Sequence, residues 1–260
     1  LNRPKALHAL NRGMCEAMTE ALLTWRDDPT VVSVLIDHAG ERGFCAGGDI
    51  RMIAESGAGD AAEARAFFKT EYRLNHLLFE YPKPVVAIVD GIVMGGGVGI
   101  SEPADVRIAT ERTTYAMPET GIGLFPDVGG GWFLPRLPGQ TGVWLALTGA
   151  RLKAADTVAL GVHTHFVPSD RIDDLKGALF AAPDDPAAVA DRFHQDAGTI
   201  PTAPHREAID RLFAYDTVEE IFAALEADGS DWALVQLAVL RTKSPQSMKV
   251  SLRQLRTGAT

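Results

Sequence analysis

Apolar and polar positions follow a helical spacing at the start of the chain. Met14, Met18, Ala21, Leu22 and Trp25 recur on one face of residues 12–27, behind Asn11, a good helix N-cap. Pro29 closes that stretch, and the continuous apolar run "VVSVLID" that follows predicts a buried strand. The next segment, "HAGERGFCAGGDI", loses the pattern and predicts a loop of small residues. Helical spacing returns over 61–79 with Ala64, Phe67, Phe68, Leu74, Leu77 and Leu78.

"KPVVAIVDG" predicts a second buried strand, and "IVMGGGVGISEPAD" a glycine-rich turn running into a short helix. "VRIAT" and "TTYAM" predict short strands, and "GVWLALTG", "KAADTVALG" and "HTHFVP" a helix, a helix and a strand. Beyond about residue 170 the pattern turns wholly helical, at 172–181, 186–195, 205–214, 217–227 and 231–241. "SPQSMKVSLRQLR" adds one more helix, with Ser244 and Pro245 suited to its start. The division therefore falls at 1–168 against 169–260, with no linker long enough to separate two independent domains.

Composition narrows the picture. With 260 residues, 46% hydrophobic and 23% charged, the chain has ordinary soluble globular composition. No apolar run reaches the roughly 18 residues that span a bilayer, so no membrane partner is expected. No basic stretch followed by an apolar one marks a secretory signal. The opening "LNRPKALHALN" does not look like a natural start, so a further N-terminal piece is compatible with it. A net charge of −9 argues against nucleic acid as the main partner. Cys15 and Cys45 make neither a disulfide framework nor a metal array, and a reducing, cytoplasmic setting fits them best.

Several chemistries lack their motif. G-x-S-x-G, G-x-G-x-x-G with its spacing, a Walker lysine and H-E-x-x-H are all missing. His163 and His165, two apart on the expected strand, would face one side. With no third ligand nearby they read as edge-strand histidines, and no metal is expected. Cys45 beside Ala46 and Gly47 reads as a small buried residue in preference to a nucleophile.

What remains is two glycine loops and two acids. "FCAGGDI" and "MGGGVG" each follow a buried strand and lack bulk, so backbone N–H groups can approach a ligand closely. The second also opens a helix, whose first N–H groups carry partial positive charge. Two such groups aimed at one oxygen would form an oxyanion hole; tight turns and close packing account for the glycines equally well. "PETGIGLFPDVGGG" places Glu119 and Asp127 in otherwise apolar surroundings.

Together these stretches resemble the crotonase (enoyl-CoA hydratase/isomerase) superfamily, through "LNRPKALHALN", "FCAGGDI", "MGGGVG" and "PETGIGLFPDVGGG". Longer stretches, "FFKTEYRLN", "AMPETGIGLFPDVGGGWFLPRLPG" and "SPQSMKVSLRQL" among them, are similar to its branch of 3-hydroxyisobutyryl-CoA hydrolases. The resemblance covers essentially the whole chain.

It implies an α/β (α+β) fold: a spiral of ββα units with two roughly perpendicular sheets, followed by a helical C-terminal region packed on the core. It implies an acyl-CoA substrate, no cofactor beyond the coenzyme A of that substrate, and an enzyme that can form a homo-oligomer. By motif position, Gly48 and Gly96 would supply the oxyanion N–H groups, and the Ala46 carbonyl would lie near the adenine. Glu119 would be the main catalytic carboxylate, Asp127 the second acid typical of the hydrolases, and Glu71 a substrate-contacting glutamate. Lys5 and Arg51 are weak candidates for the phosphates.

Gly99 stands where hydratases carry a glutamate that handles water, which favours thioester hydrolysis over hydration. Double-bond isomerisation or hydration by Glu119 alone, and non-catalytic acyl-CoA binding, stay open as alternatives. The chain also lacks the strand that relatives carry before "LNRP" and stops soon after "RQL". Closure of the acyl-CoA site and oligomer contacts are thereby left open.

Overall fold

The computed structural model describes residues 1–40 and 42–259. Its strands are β1 Val34–Ile36, β2 Gly43–Cys45, β3 Val85–Val89, β4 Ile92–Met94, β5 Val106–Ala109, β6 Thr114–Ala116, β7 Leu152–Lys153 and β8 His165–Phe166. Strands alternate between two sheets as the chain advances. One sheet has the order β1-β3-β5-β8, the other β2-β4-β6-β7. All pairings are parallel except β6–β7.

Helices follow the second strand of each pair: Ile50–Gly57 and Ala62–Phe79 after β2, and Gly96–Ser101 after β4. This is the expected spiral of ββα turns. Because β2, β4 and β6 are parallel neighbours, the segments that leave them emerge at one edge. Those segments are the two glycine loops and the one carrying Glu119. Ligands of parallel sheets bind at such carboxyl ends.

β3 is buried along its whole length, as its apolar run requires. One outer face of its sheet, with Val86, Ile88, Val106 and Ile108, is covered by Ile172, Leu175 and Leu179 of helix Ile172–Ala181. Val189 and Ala190 of helix Pro186–Asp191 complete that cover. Later helices pack elsewhere, setting Ile209, Ile221, Leu237 and Leu252 in the same core as Val143 and Leu145 of helix Thr141–Thr148. The Trp144 indole N–H, buried there, donates to the Gln236 side-chain carbonyl at 2.8 Å. Each fully buried Leu or Ile contributes about 1.5–3 kcal/mol, so residues beyond 168 help to build both cores.

Some local expectations change. β2 lies inside the stretch expected to be loop, and β4 and helix Ile50–Gly57 had no counterpart in the periodicity. Gly43 is admitted to β2 because a Cβ there would come within 2.9 Å of Ile92. On the first helix Asn11 caps as expected, accepting from the Met14 N–H at 2.9 Å. Its buried residues are Cys15 and Leu22, however, and Trp25 is 40% exposed.

Candidate active site

Gly48 and Gly96 face each other across the mouths of β2 and β4. Leu10 donates to the Gly47 carbonyl at 2.8 Å and accepts from the Asp49 N–H at 2.9 Å. This parallel bridge uses the residues on either side of Gly48 and leaves the Gly48 N–H out of it. Gly96 begins its helix after Gly95, which adopts φ +49°, so its N–H has no acceptor one turn earlier. A Cβ at Gly96 would lie 3.3 Å from the Gly48 nitrogen and 2.2 Å from Oε1 of Glu71. Only glycine fits.

A cavity of about 160 Å³ opens between the loops, lined by Ala46, Gly48, Glu71, Gly96, Glu119 and Asp127. All six residues singled out by the sequence thus come together. Glu119 starts the 3-10 turn Glu119–Ile122 behind Pro118 and is 4% exposed. Its Oε2 has no hydrogen-bond partner, and its Oε1 would lie 3.1 Å from a Cβ on Gly95. Burial, with Asp127 and Glu71 adding like charge, pushes its carboxyl up to about 8.

Glu71 faces inward from helix Ala62–Phe79 at 2% exposure, with Oε1 unpartnered. Burial and the nearby Asp127 push it up to about 8 as well. Asp127 is also raised by burial, although the Tyr72 hydroxyl donates to its Oδ2 at 2.6 Å and opposes the rise. Phe67, Phe68 and Leu124 line the same cavity and supply the apolar wall that withholds water from these acids. The cavity therefore holds two carboxyls, Glu71 and Glu119, that keep their protons up to about 8.

Asp127 also borders a second cavity of about 790 Å³, lined by Tyr72, Asn75, Phe79, Glu102 and Trp132. Between the two, Val128 takes a backbone φ of +40°, a costly conformation for a β-branched residue. Its side chain is buried against Gly99, where a Cβ would come within 2.5 Å of the Val128 Cβ. Asn75 closes the other side, its Nδ2 donating to the Gly99 carbonyl at 2.9 Å. The space above position 99 is full.

Tyr72, Asn75 and Val128 escaped the sequence reading. The signal for the first two was their place in "TEYRLN": Asn75 lies one turn after Glu71, and Tyr72 directly follows it. Nothing in the sequence marks Val128.

Other candidates fall elsewhere. Cys45 is buried, donates to the His8 carbonyl at 3.2 Å, and is pushed up to about 12 by burial, which makes it an inert thiol. His165 lies on the edge strand β8 with Asp191 at 3.0 Å, as an edge-strand histidine. His163 precedes that strand instead of sharing it, packs edge-on against Tyr115, and is lowered to about 3 by burial and Arg107. Among the described residues no group of three or more His, Cys, Asp or Glu is arranged to hold a metal. Lys5 and Arg51 are exposed, Arg51 on helix Ile50–Gly57 whose Ile50 and Ile53 line the smaller cavity.

The family model described as Enoyl-CoA hydratase/isomerase matches residues 1–260. The chain belongs to the enoyl-CoA hydratase/isomerase family. Among curated relatives in this family, the mitochondrial 3-hydroxyisobutyryl-CoA hydrolase of Xenopus tropicalis is 47% identical over 268 residues, covering 100% of this chain and 70% of its own. That of Homo sapiens is 44% identical over 268 residues, covering 100% and 69%.

A solved structure titled carnitinyl-CoA dehydratase, from Mycobacterium thermoresistibile, superposes with a TM-score of 0.95 at 45% identity, covering 100% of this chain and 76% of its own. One titled enoyl-CoA hydratase, from Rhodobacter sphaeroides 2.4.1, gives 0.92 at 41% identity, with the same coverage. The two relatives' names carry the word mitochondrial, so the cytoplasmic setting expected from cysteine usage finds no support in them. Among the described residues no helix is long and apolar enough to cross a membrane.

Proposed function

We propose that this family member hydrolyses a short-chain acyl-CoA thioester, with 3-hydroxyisobutyryl-CoA as the substrate that its relatives' names suggest. The observation that carries the reading is the filling of position 99. Glu119 shares a cavity with both glycine loops and Asp127, while Val128 and Asn75 occupy the place a second hydratase-type acid would need.

Hydrolysis needs a stabilised oxyanion and an activated oxygen nucleophile. The thioester carbonyl would accept from the Gly48 and Gly96 N–H groups, each worth about 3–4 kcal/mol by analogy with other oxyanion holes. Glu119, once ionised, either removes a proton from the attacking water or itself attacks the carbonyl carbon to give an anhydride. In both routes the tetrahedral oxyanion collapses and the C–S bond breaks. Coenzyme A leaves as thiolate and takes a proton. By the first route the water oxygen enters the released acid directly. By the second a water then cleaves the anhydride at the Glu119 carbonyl carbon, so a former Glu119 oxygen leaves in the acid and the water oxygen stays in Glu119. Asp127, raised by burial, would hold the substrate hydroxyl or protonate the thiolate.

Titration of free thiol with 3-hydroxyisobutyryl-CoA, beside crotonyl-CoA as an enoyl substrate, tests this. The reading expects thiol release from the first and no hydration of the second. Hydration without thiol release would overturn it. Single turnover in ¹⁸O water separates the two routes, since the anhydride leaves label in Glu119.

A further inference from the structure

The two glycine loops are held differently. The loop after β4 continues between strands, with the Gly95 N–H bonded to Ala116 at 3.4 Å and the Gly95 carbonyl bonded to Val98 and Gly99. β2 is the edge of its sheet, so the loop after it has no strand on its outer side. Residues 7–10 take that place. The Leu7 carbonyl accepts from Ala46 at 3.0 Å, and Leu10 bonds to Gly47 at 2.8 Å and to Asp49 at 2.9 Å. The His8 carbonyl accepts from the Cys45 thiol at 3.2 Å.

This brace has an improbable backbone. Leu7 at φ +47° and His8 at φ +55° are consecutive non-glycine residues in the left-handed region, where L side chains crowd their own carbonyl. Such a conformation persists only where surroundings over-determine it. Here the His8 ring does so. The ring is in a residue 2% exposed, and the Arg3 N–H donates to its Nδ1 at 2.9 Å. Nδ1 is therefore bare, and Nε2 carries the proton that it gives to the Ala39 carbonyl at 2.8 Å. Arg3 closes the frame, donating to the Ala9 carbonyl at 2.9 Å and to Asp49 at 2.8 Å.

We propose that His8 is a positioning residue for the oxyanion hole: its neutral ring locks residues 7–10, and they fix where the Gly48 N–H points. His8 touches no substrate; it acts through Leu10 and the loop. The inference rests on Gly48 as an oxyanion donor, and the test separates the two.

A small displacement of one catalytic group slows a reaction by about 100-fold. His8→Ala should lower kcat by about 10- to 100-fold while KM for the acyl-CoA changes by less than about threefold. His8→Asn should recover most of that loss, because Asn tolerates the left-handed region and its carbonyl can accept from Arg3. Should His8→Ala fail to fold by thermal melt, His8→Gly, which relaxes the φ demand without restoring the ring, carries the same expectation. The independent readout is the carbonyl stretch of ¹³C-labelled 3-hydroxyisobutyryl-CoA bound to the Glu119→Gln protein. It should lie below its solution frequency, and move back towards it when His8→Ala is added.

Parental kcat in His8→Ala or His8→Gly would overturn the inference, as would equal losses in His8→Ala and His8→Asn. An unmoved carbonyl stretch on adding His8→Ala would do the same while leaving the hydrolase reading intact. No lowered stretch even with His8 present would remove the oxyanion assignment, and the inference with it.

Discussion

Tyr72 donates its hydroxyl to Oδ2 of Asp127 across 2.6 Å, tying helix Ala62–Phe79 to the loop that carries the second acid. Tyr72→Phe removes this bond and nothing else of comparable size. A hydrogen bond to a charged group is worth about 1.5–3 kcal/mol, so kcat/KM for thiol release should fall by about 10- to 100-fold. Asp127 should also titrate higher, because the bond opposes the rise that burial causes. Steady-state rates across a pH series measure both.

Activity should rise with pH. Glu119 is pushed up to about 8 and must ionise to serve as base or nucleophile. The log of kcat/KM should climb with unit slope from the acid side and level off above about 8. Glu119→Gln should lower kcat by at least about 1,000-fold, by analogy with loss of a catalytic carboxylate or base elsewhere, while coenzyme A esters still bind by calorimetry. A rate independent of pH from about 5 to about 9 would contradict this assignment.

The same acids set a stability trend of opposite sign to ordinary acid denaturation. Folded Glu119 and Glu71 hold protons up to about 8, whereas the ordinary value is 4.5. In that window the folded state binds more protons than the unfolded one, so stability falls as pH rises. The contribution is fully present below 4.5 and lost as pH passes about 8. Thermal melts of the parent against Glu71→Gln/Glu119→Gln should show the parent losing more midpoint over this window.

Two glycines should respond in opposite directions. A Cβ at Gly97 would lie 2.3 Å from the Cys45 carbonyl oxygen, which is backbone and cannot swing aside. Gly97→Ala should lose about 1–3 kcal/mol, read as a lower denaturation midpoint. Gly177, exposed within helix Ile172–Ala181, has nothing within 4 Å of such a Cβ. Gly177→Ala should gain about 0.5–1 kcal/mol.

The long periodic segments and the two glycine loops were legible in the sequence because burial and tight approach restrict composition strongly. The helix 12–27 with its Asn11 cap and the run that became β3 show this. β2 and β4 were not legible: Gly43–Cys45 lies inside a stretch of small, glycine-rich residues, and Ile92–Met94 sits between Gly91 and the glycine run that follows it, so both read as turn. Tyr72 escaped because it stands on the exposed side of its helix, away from the stripe that periodicity finds. The left-handed backbones of His8 and Val128 are imposed by packing and hydrogen bonds distant in sequence, and local propensity argues against them.

The glycine loops leave adjacent strands of one sheet, joined where Cys45 opposes Val93. Neighbouring strands keep a separation of about 4.8 Å whatever side chains they bear. The gap between the Gly48 and Gly96 backbones is thus gauged by peptide geometry itself. Substrate preference can drift through the residues lining the cavities while that ruler keeps its calibration.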